Sequence, residues 1–231
     1  NAGTGEFVAG GNAGGSKFKA QWQFSAADMA AYQDNFGGTS GVTDKAAGDG
    51  GKYVDSNISA GGRITYVQVD KTELDVDGKA SRIVGATGHP YVTGPWTGDY
   101  WLFTLNTGST LPAGTKLHIA YITRTSATGP KYWVLEYLDG SEWKAAADLK
   151  TEEDVQHNLV MNSDGKTNVQ VDCTFTTTVA AETAQFRMRC AAILQANGKG
   201  ALEKPNGGTC RIAGAAAAED GTTTSPVFEV L

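Results

Sequence analysis

The sequence predicts an all-β chain: an antiparallel β-sandwich of jelly-roll type with one or two short helices. Three observations carry this. Glycine is abundant, 30 of 231 residues, against a usual share of ~7%. Several runs alternate apolar and polar residues with the period of two that a half-buried strand requires. Turn residues punctuate those runs, as in NAGTGEFVAGGNAGGS at the start and LPAGT at 111–115.

The elements follow in chain order. Residues 1–16 read as a flexible, glycine-rich leader, and residues 17–231 as one jelly-roll domain. SAADMAAYQDNFGG, 25–38, is the best helix candidate: Ser25 can cap it, Asp28 sits at the third helical position, and Gly37 or Gly38 can end it. RITYVQVD, 63–70, alternates with β-branched residues. DVDGK, 75–79, reads as a hairpin turn between strands holding Leu74 and Ile83, since it lacks the later ligands of a calcium loop. DYWLFTLN, 99–106, is a dense apolar run in which Tyr100 and Trp101 are expected in the core. A strand over 116–125 points Leu117, Ile119 and Tyr121 one way and His118, Ala120 and Ile122 the other. YWVLEYLDGSEWKAA, 132–146, is a hairpin turning at Asp139-Gly140. TEEDVQHN, 151–158, is expected as one helical turn capped by Thr151, with a solvated His157. Val169, Val171, Cys173 and Phe175 share a face of one late strand; Phe186, Met188 and Cys190 point inward from the next, with Arg187 and Arg189 outward. CRIAG and SPVFEVL complete the strands.

Composition narrows the function classes. The net charge is −6 and no basic block is present, which argues against nucleic acid. No apolar run reaches the roughly 18 residues of a membrane-spanning helix. Cys173, Cys190 and Cys210 lack CxxC spacing, so a zinc ribbon is not expected. A Cys190–Cys210 disulfide and three buried thiols both remain open, and buried thiols are the expectation.

The segment LEYLDGSEW, 135–143, resembles the hairpin of galactose-binding-like jelly rolls, the discoidin and coagulation-factor C-domain family. In those domains a strand of alternating arginine and apolar residues follows, and QFRMRC, 185–190, stands in that place. The wider block from 88 to 143 looks like secreted, surface-anchored proteins of gut Gram-negative bacteria. The resemblance spans about residues 60–195. It implies an extracellular or cell-surface location, including lipoprotein anchoring. It also implies one structural calcium near the N-terminal loops, where Asp34, Asp44, Asp49 and Asp55 are the candidate ligands.

Candidate chemistry is sparse. No G-x-S-x-G elbow is present, and the three histidines lie in unrelated settings. Glu136 is the acidic residue within an apolar strand; it is either half of a glycosidase carboxylate pair or, as expected, an outward residue beside Lys131 or Lys144. GHPYVTGPWTGDYW, 88–101, sets rings among glycines and prolines. Aromatic faces stack on the apolar patches of sugars, while charged side chains bind hydroxyls. His89, Tyr91, Trp96 and Asp99 supply that mixture, and Arg124 and Lys131 bracket the neighbouring TSATGP loop. Tyr91 and Trp96 equally suit a structural role plugging the sandwich end. The expected function is a monomeric, non-catalytic carbohydrate-binding module. An adhesive module contacting surface proteins is the alternative, and a carbohydrate-active hydrolase is the third reading.

Overall fold

The computed structural model describes residues 18–22, 52–53, 62–67, 82–86, 89–192, 194–201, 208–213 and 226–231. The candidate helix at 25–38, the DVDGK turn and the four aspartates proposed for calcium lie outside the described residues. The strands are β1 (Phe18–Gln21), β2 (Lys52–Tyr53), β3 (Gly62–Val67), β4 (Arg82–Ala86), β5 (His89–Thr93), β6 (Tyr100–Leu111), β7 (Lys116–Thr125) and β8 (Tyr132–Asp139). They continue as β9 (Glu142–Ala145), β10 (Lys150–Glu152), β11 (Val155–His157), β12 (Leu159–Val160), β13 (Val169–Thr176), β14 (Ala181–Cys190), β15 (Thr209–Ala213) and β16 (Val227–Val230).

Two antiparallel sheets form the sandwich. In the first, β7 is the axis: β13 pairs along one edge, while β16 and β15 share the other, leading on to β1 and to β5–β4 respectively. The second runs β12–β8–β14–β6–β3–β2, with β9 also paired to β8. Consecutive strands lie in opposite sheets of the sandwich at β1–β2, β3–β4, β5–β6, β6–β7, β7–β8, β12–β13, β13–β14 and β14–β15, as in a jelly roll.

Alternation decides which residues fill the space between. Leu117, Ile119 and Tyr121 from β7 face Phe103 of β6 and Phe186 and Met188 of β14, all buried. Phe103 stacks on Tyr121 at 4.8 Å between ring centroids, and Phe186 meets both edge-on at 6.1 and 6.3 Å. Phe175 and Tyr137 extend this aromatic layer with a 4.5 Å stack. At one corner the layers close on Gly62, where a β-carbon would collide with Ala20 and the Trp22 ring.

Several expectations are corrected. No helix occurs among the described residues: 150–157 is the β10–β11 hairpin, because Glu153 and Asp154 both take positive φ, 52° and 61°. Two successive left-handed residues make the tight turn whose twist suits a hairpin. His157 is not solvated but 1% exposed, its ring 4.1 Å from Tyr132 and its Nδ1 2.8 Å from the Val155 carbonyl. Trp101 is a core residue, whereas Tyr100 faces the outer side of the second sheet and packs on the Arg187 guanidinium at 4.9 Å. All three cysteines are buried free thiols. Burial pushes the Cys173 thiol up to about 11 and that of Cys210 up to about 12, so neither supplies a thiolate nucleophile at neutral pH.

Candidate functional site

Antiparallel pairing brings Tyr91, Arg211 and Arg124 into one row. Tyr91 on β5 pairs with Arg211 on β15, and Arg211 pairs with Arg124 on β7. Their partners one step along, Val92, Cys210 and Thr125, are buried between the sheets. Side chains alternate along a strand, so the row projects from the outer face of the first sheet. There it lines an open cleft of about 330 Å³, together with Ser126, Thr209 and Gly165.

The far wall is the loop between β12 and β13. Asp164 shapes it by accepting hydrogen bonds from the backbone of Lys166 and Thr167, both at 2.8 Å, and from the Thr167 hydroxyl. The Thr167 hydroxyl and these backbone donors pull the Asp164 carboxyl down to about 2. Gly165 has φ 69°, and a β-carbon there would strike the Ala127 backbone, so the loop can lie close only with glycine at this position. The result presents the Lys166 carbonyl to Arg124 Nη1 at 2.6 Å and Asn168 Oδ1 to Arg211 Nη2 at 2.7 Å.

Sequence reasoning grouped Tyr91 and Arg124; the structure places them in this cleft. It missed Arg211, which becomes their neighbour only through the pairing of β15. The other proposed residues lie differently. His89 is on β5 by its backbone. Trp96 is half-buried in the loop before β6. Asp99 is fully buried: it accepts the Tyr66 hydroxyl and, at 3.1 Å, the Trp96 backbone N–H, so it serves the loop's own structure. Lys131 donates to Glu153 at 2.9 Å and lies 4.8 Å from the Tyr132 ring, tied to the β10–β11 hairpin.

Glu136 does face outward, but its partners are not the expected lysines. Lys144 pairs with Asp139 at 2.6 Å, and Lys131 pairs with Glu153. One oxygen of Glu136 instead accepts Arg187 Nε at 3.0 Å and Arg189 Nε at 2.9 Å. Burial favours the neutral acid, yet the two arginines outweigh it and hold the carboxyl below its ordinary range. A carboxylate so held is a poor proton donor.

Further along the outer face of the first sheet, His118 bridges three strands. Its Nδ1 lies 2.7 Å from Glu229 on β16 and its Nε2 2.8 Å from Asp172 on β13. Burial lowers its pKa, but the two carboxylates more than compensate and the net shift is upward. A raised folded-state value means that the bridge stabilises fully below the unfolded value of about 6.5 and is lost as pH rises through the folded one. The thermal midpoint of the wild type is therefore expected to carry a downward step above about pH 6.5 that His118→Gln lacks; parallel profiles for the two proteins would refute it.

Comparison with known proteins adds the following. No protein-family model matches the chain, and no curated protein matches it. Among solved structures it is similar to a family 4 carbohydrate-binding module at 13% identity, covering 71% of this chain and 86% of that one, with a TM-score of 0.39. It is also similar to an arabinose-bound α-L-arabinofuranosidase at 11% identity, covering 94% of this chain but 27% of that one, TM-score 0.38. A third is the xylan-binding domain from Paenibacillus barcinonensis at 8% identity, covering 65% and 80%, TM-score 0.35. Among the described residues no helix is long and apolar enough to cross a membrane.

Proposed function

We propose that this chain is a non-catalytic carbohydrate-binding module of a secreted or cell-surface protein, with the outer face of its first sheet as the binding face. The observation that supports this most is the composition of the cleft. Tyr91 brings an aromatic side chain, Arg124 and Arg211 bring fixed donors, and Ser126 and Thr209 bring hydroxyls. An aromatic ring beside convergent polar groups is the combination that a sugar ring, apolar on its faces and hydroxylated at its rim, can use. The row stands on three hydrogen-bonded strands, so little ordering cost attends binding. The extracellular placement follows the resemblance of the 88–143 block to surface-anchored proteins. The structural calcium remains part of the same proposal, with Asp34, Asp44, Asp49 and Asp55 as its ligands.

The test is an oligosaccharide array probed with wild type and Tyr91→Ala. Binding of at least one oligosaccharide with a dissociation constant near or below about 1 mM, weakened about tenfold or more in the variant, supports the reading. An array without a single binder, or binding indifferent to Tyr91, overturns it. If wild type instead captures only surface proteins, the adhesive reading takes its place.

A further inference from the structure

Among the described residues two pairs of neighbouring arginines lie on sheet faces, and they differ in one respect. Arg187 and Arg189, on the second sheet, converge on the Glu136 carboxylate. Arg187 is also sandwiched between Tyr100 and Trp143, at 4.9 and 4.1 Å from their ring centroids. Arg124 and Arg211, on the first sheet, are direct cross-strand partners. Like charges in that relation repel. Among the described residues neither of them pairs with a carboxylate: their hydrogen bonds go to the neutral Lys166 carbonyl and Asn168 amide oxygen. The Nε of Arg211 is buried and makes no hydrogen bond there. Burial first, and then the charge of Arg124, lower the Arg211 pKa, the direction expected of a part-buried guanidinium beside a like charge.

Two guanidinium groups that open into a cleft, with an unmet donor between strands, lack what Glu136 supplies on the other sheet. Resting on the carbohydrate reading above, we infer that the ligand is an acidic glycan whose carboxylate or sulfate lies between Arg124 and Arg211, with its sugar ring against Tyr91. The guanidinium fork matches a planar carboxylate or a sulfate through paired N–H···O contacts. An anion there relieves the repulsion between the arginines, and neutral sugars cannot. A chain of net charge −6 has no general attraction for polyanions, so the recognition is local to this pair.

The experiment is calorimetric titration of the full chain with trigalacturonate, with the same trisaccharide as its neutral methyl ester, with a sulfated galactose disaccharide and with inorganic sulfate alone. The acid trisaccharide or the sulfated disaccharide is expected to bind about tenfold or more tightly than the ester, because a charge-assisted hydrogen bond is stronger than a neutral one. Raising the salt from 50 to 500 mM narrows that difference. Arg124→Gln and Arg211→Gln are each expected to remove about tenfold of the affinity for the preferred acid and to weaken the ester less, so that the acid–ester preference shrinks. Which acid binds better distinguishes a uronic carboxylate from a sulfate ester. Equal binding of acid and ester, still sensitive to Tyr91→Ala, overturns the charge inference and leaves the carbohydrate reading standing. Absence of every saccharide, with or without binding of inorganic sulfate, overturns both. The acid–ester comparison on wild type decides the matter even if an arginine variant folds poorly.

Discussion

Phe186→Ala is expected to destabilise the fold by about 3–5 kcal/mol, a large share of the 5–15 kcal/mol typical of a domain. Phe186 is fully buried at the centre of the aromatic layer, within about 6 Å of the Phe103, Tyr121 and Phe175 ring centroids. Those neighbours come from three other strands in both sheets, and hydrogen bonding to the sheets keeps the strands from moving in to fill the gap. The lost transfer energy is therefore compounded by a cavity. Thr174→Ala, at an exposed position on β13, is the control, expected to fall within about 0.5 kcal/mol of wild type. Urea unfolding at neutral pH measures both. A loss below about 1 kcal/mol for Phe186→Ala would mean that the core relaxes in a way these contacts do not allow.

Glu136→Gln is expected to cost about 2–3 kcal/mol, less than a fully buried pair, because Arg189 remains partly exposed. The substitution keeps the shape and leaves two adjacent guanidinium groups without a counter-charge. It also removes a titration. The folded-state carboxyl is held below its ordinary value. Its contribution is therefore present above the unfolded value of about 4.3 and lost as pH falls through the folded one. Wild type should thus converge toward the variant as the pH is taken down below about 4, while the two differ most near neutrality. A stability gap that stays constant across that range would show that the carboxylate is not the source of the difference.

The contrast between the two arginine pairs also shows where sequence reasoning reaches and where it stops. Arg187 and Arg189 could be placed on an outer face from QFRMRC alone, since period-two alternation is a local property of a strand. Their partner could not: Glu136 is 51 positions from Arg187, and nothing in LEYLDGSEW distinguishes a lysine partner from an arginine one. TEEDVQHN shows the reverse failure. Its threonine and acidic residues suit a helix start, but the segment turns at Glu153-Asp154 and lays His157 on the Tyr132 ring. A tertiary contact outweighed a local preference.

By itself the sequence determined the fold class, the inward and outward faces of β7, β13 and β14, and the burial of the three cysteines, because each depends on residues a few positions apart. Only the tertiary structure decided which strands lie side by side. That choice is made by packing across the whole sandwich, and it carries the candidate site. Tyr91, Arg124 and Arg211 are far apart in the chain and become a row only because β15 inserts between β5 and β7. Asp99, close to Tyr91 and Trp96 in the chain, is drawn inward by Tyr66 instead.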